Sequence, residues 1–178
     1  MARERLRSPE PIRLITMEKT HSVGTGNLLI VLSNPPTTSG IRSFSRVELA
    51  RDVLGYASVA TANLFAIPTY RTNGVSSAGV DAKGWFDARA ELENGLATAD
   101  GVVLAYGCQE PIGSARQHFR SQLDWMETIM GGRGLPIWMI DGRPRHPSRW
   151  HRHTYAQHPT LTFREALPLV LRQVDPLG

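Results

Sequence analysis

The chain has 178 residues, of which 41% are hydrophobic and 20% charged, with a net charge of +4. That length and composition fit one domain with one substantial core and exclude a disordered chain. No apolar run approaches the roughly 20 residues that span a bilayer, and the single cysteine, Cys108, excludes an internal disulfide.

The elements follow in chain order. Residues 28–32 (LLIVL) are a continuous apolar run stopped by SNPP, which reads as a buried strand ending in a tight loop. Residues 44–54 place Phe44, Val47, Leu49 and Leu54 among polar neighbours and end at Gly55, which predicts a helix with a glycine stop. Residues 58–65 (SVATANLF) read as a second strand. Residues 67–83 hold Pro68, Gly74 and Gly79 and read as a long loop, a feature often tied to function. Phe86, Leu92 and Leu96 predict a helix over 85–97. GVVLA at 101–105 is a third strand, closed by Tyr106 and Gly107. Phe119, Leu123, Met126 and Met130 predict a helix over 117–130, and PIWMI at 136–140 a fourth strand. A loop rich in arginine and histidine spans 141–153, and a closing helix over 163–174 contains Pro168.

Alternating short apolar strands and helices predict an α/β fold: three layers, α/β/α, around a central, mainly parallel four-stranded sheet. Residues 27–178 form one domain on this reading, with a basic segment at 1–26 preceding it or packing on it. Right-handed crossovers then place the four strand ends at one edge, where ligands of such sheets bind. Those ends are SNPP, Asn63-Leu64-Phe65, Tyr106-Gly107 and residues 141–146.

Nearly every positive charge is arginine, whose planar, permanently charged fork pairs well with phosphate. Arg3, Arg5, Arg7 and Arg13 crowd the N-terminal segment, which reads as a solvated tail. That opening has no apolar secretion core, so a cytoplasmic setting is the expectation. Arg143, Arg145, Arg149 and Arg152 crowd the later loop together with His146, His151 and His153. Trp150 lies between these charges, and the mixture favours contact with nucleic-acid phosphates. Trp150 reads equally as a core anchor for the last helix.

The usual signatures of phosphate loops, dinucleotide folds and serine hydrolases do not occur. His151 and His153 have no cysteine or acidic partner close by, so neither a metal nor a cofactor is expected. What remains is Asn34, Asn63 and His146. Asparagine is costly to bury unless its amide is bonded, and either asparagine alone reads as an Asx turn or a cap. A pair at neighbouring strand ends, with His146-Pro147, favours a functional reading.

SNPP after the first strand, TANLFAIPTYR at the second, GVVLAYG at the third and RPRHPS after the fourth occur in the order used by the uracil-DNA glycosylase superfamily. Residues 28–150 resemble that superfamily, as an outlying branch. They also resemble an uncharacterised bacterial and phage family with L-N-P-S and P-R-H-P motifs. The resemblance implies a role for each matching residue. Asn34 positions the attacking water. Asn63 reads the base edge, with Phe44 and Phe65 also binding the base. His146 stabilises charge on the departing base. Pro147 and Ser148 pinch phosphate, and Arg149 and Trp150 fall at the wedge that fills the opened stack. Arg143, Arg145 and Arg152 contact the DNA. Ser33 and Pro36 stand where the motif has glycines, and no aspartate occupies the water-activating position. Asp141, at another strand end, is the nearest acidic candidate.

The implied activity is hydrolysis of the N-glycosidic bond of a modified or mismatched pyrimidine, leaving an abasic site. A hypermodified phage cytosine such as glucosylated hydroxymethylcytosine, excised in antiviral defence, is one candidate. The implied partner is DNA with a flipped-out base, with no membrane and no obligate protein partner. Two alternatives stand beside it: an N-glycosidic hydrolase or transferase of free nucleotides, and a non-catalytic nucleic-acid-binding module.

Overall fold

Leu28, Leu29, Ile30 and Val31 are at most 1% exposed, and they are consecutive in one strand. Successive strand side chains point to opposite faces, so such a strand must be covered on both sides. The computed structural model, which describes residues 24–37, 40–69 and 72–175, shows how this is met. The expected N-terminal segment lies, up to residue 23, outside the described residues.

In chain order the elements are β1 (Asn27–Leu32), α1 (Ile41–Leu54), β2 (Ser58–Asn63), α2 (Thr72–Ala78), α3 (Lys83–Asp87), α4 (Arg89–Thr98), β3 (Gly101–Leu104), α5 (Ser114–Arg133), β4 (Ile137–Ile140), α6 (Pro147–Gln157), α7 (Phe163–Val170) and β5 (Leu171–Val174). The sheet order is β2-β1-β3-β4-β5; the first four are parallel and β5 runs antiparallel to β4. Leu29 and Val31 pack with Trp85, Leu92, Leu96, Phe119 and Met126 from α3, α4 and α5. Leu28 and Ile30 pack on the other face with Val47, Ala50, Trp150, Leu167 and Val170 from α1, α6 and α7. The architecture is therefore α/β, with helices on both faces of a mostly parallel sheet.

Several expectations are corrected. The sheet has five strands, not four, because the closing helix stops at Val170. Pro168 deprives that helix of a backbone donor near its end, and β4 has an edge that Leu171 to Val174 can pair, Ile140 opposite Leu171 and Ile137 opposite Val174. The loop expected at 67–83 contains α2, and the helix expected at 85–97 divides into α3 and α4 at Ala88. The arginine-rich loop is shorter than expected, because α6 begins at Pro147 with His146 as its N-cap. Proline suits that first helical position, since its φ is preset and its missing N–H would have had no helical partner.

Trp150 anchors α6 and is not a wedge. It is fully buried, and its indole N–H donates to the Arg145 carbonyl at 2.6 Å. Trp150→Ala is expected to cost about 3–5 kcal/mol of unfolding free energy by chemical denaturation. A loss below about 1 kcal/mol would show that α6 is held by other contacts.

Candidate functional site at the carboxyl edge of the sheet

Parallel pairing brings the first two strand ends together. Leu32 is the register partner of Asn63. The ladder continues past both strands, Leu64 N–H donating to Leu32 O at 2.9 Å and Phe65 N–H to Ser33 O at 3.0 Å. Asn34 and Asn63 therefore stand on adjacent segments. The half-buried Asn34 donates from Nδ2 to Pro35 O at 3.1 Å and to Thr69 O at 3.2 Å. This clamps the first loop to the segment after β2. It uses the donor end of the amide and leaves Oδ1 as the end that can accept.

Asn63 is only 9% exposed, and its Oδ1 is buried with no hydrogen-bond partner among the described residues. Such an acceptor costs about 1–3 kcal/mol when nothing donates to it. It is the kind of exception that a ligand or an ordered water accounts for.

At the end of β4, His146 caps α6. The Ser148 N–H donates to His146 Nδ1 at 3.2 Å, and the Ser148 hydroxyl lies 2.9 Å from the same nitrogen. A backbone N–H can only donate, so Nδ1 is an acceptor and the neutral ring carries its proton on Nε2. Burial first, then the charges of Arg46 and Arg149, hold the imidazole below its ordinary pKa of 6.5. The turn is therefore built around a neutral histidine with an Nε2–H donor.

Arg46 went unnoticed in the sequence. From α1, its Nη1 donates to Pro147 O at 3.1 Å. The one available signal was its spacing from Arg42, one helical turn away. Arg145 Nε is also buried without a partner among the described residues. The β3 and β4 loops are joined where Gly107 N–H donates to Pro144 O.

The remaining candidates are dispersed. Arg143, Ser148, Arg149 and Arg152 are exposed around the start of α6. Phe44 is 55% exposed on α1. Phe65, expected at the base, instead lies in the core: it is fully buried, its ring centroid is 4.7 Å from that of Trp85, and a side chain at Gly84 would collide with it. Asp141 has φ of 47°, and its carboxylate lies 2.6 Å from His153 Nε2 and 3.7 Å from Arg172 Nε. It ties the end of β4 to α6 and β5, and His153 is occupied there.

By strand spacing, the end of β4, from which the His146 turn follows, stands about 10 Å from the end of β1, two strands across. Two open clefts, of about 570 and 470 Å³, lie elsewhere, and neither is lined by Asn34, Asn63 or His146. Among the described residues no three His, Cys, Asp or Glu side chains are placed to hold a metal ion, and no helix is long and apolar enough to cross a membrane. No protein-family model, curated protein or solved structure matches this chain.

The lowered pKa sets a sign. Well above pH 6.5, by about a unit or more, both folded and unfolded chains hold the histidine neutral and it adds no pH dependence. Below that value the unfolded chain takes up a proton that the folded chain resists, so stability falls with pH until the folded midpoint is passed. NMR titration of the ring should give a midpoint below 6.5, and Arg149→Ala should raise it by removing a nearby charge. An unchanged midpoint in the variant would place Arg149 too far away to act on the ring.

Proposed function

We propose that this protein is a DNA glycosylase with a uracil-DNA glycosylase-like fold. It would hydrolyse the N-glycosidic bond of a modified or mismatched pyrimidine and leave an abasic site. The observation that carries the reading is the buried Oδ1 of Asn63, without a partner among the described residues, beside Asn34 at the carboxyl edge of the sheet. A buried acceptor of this kind is completed by an N–H donor, and the edge of a pyrimidine supplies one.

The chemistry assigns each group a task. Breaking the bond builds positive charge on the sugar, by analogy with glycoside hydrolysis, and negative charge on the departing base. Fixed dipoles aimed at that charge supply most of the acceleration. The base is first flipped out of the stack. Asn63 Oδ1 accepts from its edge. His146 Nε2–H donates to the base as negative charge grows. Asn34 Oδ1 accepts from the water that adds to the sugar, and the proton that water loses is taken up by the departed anionic base. No acid is needed to generate hydroxide when bond breaking runs ahead of water attack, which agrees with the engagement of Asp141 elsewhere. The exposed Arg143, Arg149 and Arg152, with Ser148, face the phosphates. Ser33 and Pro36, in place of the motif glycines, favour a base other than plain uracil, and a hypermodified cytosine is the candidate.

The test is incubation with duplexes carrying different modified pyrimidines, followed by alkaline cleavage of abasic sites. On the base that is excised, Asn34→Ala should lower the single-turnover rate by about 100-fold while DNA affinity stays near wild type. Denaturation of the variant controls for the lost clamp on Thr69. Equal losses in affinity and rate would make Asn34 a structural turn. Cleavage of free nucleosides without cleavage of DNA would favour the free-nucleotide enzyme.

A further inference from the structure

The open cleft of about 470 Å³ is lined by Arg42, Ser45, Arg46, Leu49, Phe163 and Arg164, from α1 and the start of α7. Half of this lining is arginine and none of it is acidic. Of the nearby acids, Glu48 stands on α1 next to Leu49, and two others are engaged. Asp52 is held by Arg51 at 2.6 Å and lies 3.4 Å from Arg164. The Glu165 carboxylate accepts from the backbone N–H and the hydroxyl of Thr162 in the α7 capping box. The lining itself is therefore a concave surface with three arginines and no acid, Arg164 being shared with Asp52. Leu49 and Phe163 give it an apolar component.

Its position relative to the His146 turn is fixed by one residue. Arg46 lines the cleft and also donates to Pro147 O. The helix that carries Arg149 and Arg152 borders it too, since the His151 ring lies 5.5 Å from that of Phe163. Arginines continue from the turn, along α1, to the mouth of α7. A single small anion would engage one or two of them. A chain of phosphates engages them in succession, and the apolar residues suit the sugars between.

We infer that this cleft binds the phosphodiester backbone of a nucleic-acid strand, away from the nucleotide held at His146. The inference rests on the DNA reading given above, and it extends the footprint beyond the reacting nucleotide. The arginines act as phosphate contacts and carry no base specificity, because backbone contacts position a strand without reading it. Arg42 and Arg164 line this surface and are not part of the His146 turn; both are exposed, and Arg164 is also paired with Asp52.

The experiment measures the affinity of Arg42→Ala/Arg164→Ala for unmodified DNA of increasing length across a salt series. Single-turnover excision is measured beside it at saturating DNA. On long DNA the variant should bind more weakly, with a salt slope flatter by about two, one for each arginine. On oligonucleotides too short to leave the His146 turn it should match wild type, and excision at saturation should be unchanged. Arg42→Lys/Arg164→Lys should restore the slope, which separates lost charge from lost folding. A wild-type slope in the alanine variant on long DNA overturns the inference. So does a cleft that responds to a mononucleotide or inorganic phosphate but not to strand length. A flattened slope with no excision of any base would sink the glycosylase reading and leave the cleft standing. Excision with an unaltered slope would do the reverse.

Discussion

The structure depends on keeping β1 out of water on both faces. Each of its buried leucine, isoleucine and valine side chains contributes about 1.5–3 kcal/mol when fully covered, and four such residues stand in a row. One layer of helices covers Leu29 and Val31, the other Leu28 and Ile30. A strand covered in this way, with β2 and β3 parallel to it on either side, reaches its neighbours only through helical crossovers. Those crossovers start each of β1 to β4 from the same edge. The opposite edge is left to collect the loops after β1, β2, β3 and β4. The placement of Asn34, Asn63 and His146 at one edge is thus a consequence of where the core lies.

The His146 turn depends on that same core. Trp150 is buried against β1 and β4 residues in the layer that includes Leu28, Ile30 and Ile140. Its indole N–H reaches back to the carbonyl of Arg145, the residue before His146. Pro147 fixes the first helical position, and Ser148 returns its N–H to the imidazole. Arg46 adds a bond to Pro147 O from α1. A polar turn is thereby held by a buried ring and a neighbouring helix. This explains why a tryptophan among exposed arginines is not itself at the surface.

How much was legible in the sequence follows from what each element shows to water. β1, β3 and β4 are continuous apolar runs, and their assignment rested on nothing else. β5 was not legible: LRQV carries exposed Arg172 and Gln173 between partners of β4, and four such residues continue a helix as readily as they form a strand. α6 was hidden because PSRWHRHTYAQ buries only Pro147, Trp150 and Thr154, too few to show a helical stripe. Asn34, Asn63 and His146 were visible as polar residues where apolar runs end. The side a ring turns to was not visible: Phe65, expected at the base, lies in the core, and of the two readings of Trp150 the core anchor is the one the structure shows. Arg46 was out of reach because its contact with Pro147 joins residues 101 apart.

The electrostatics of the His146 turn pose a choice between two donors. A protonated imidazole is the stronger one, but here it would put an N–H at Nδ1 against the N–H of Ser148, with only the Ser148 hydroxyl oxygen left to accept it. Burial and the charges of Arg46 and Arg149 oppose protonation as well. The turn therefore selects the neutral ring, a weaker donor with a defined tautomer. The arginines that disfavour the imidazolium create a positive potential, and that potential favours an anion. In a reaction whose leaving group gathers negative charge, the same field works in the forward direction while the histidine need not change charge at all. On the proposed reading the division of labour is physical: the neutral ring would give direction through Nε2–H, and the arginines the field. Arg46 serves both ends: its bond to Pro147 O holds the turn, and its charge adds to the field around the ring.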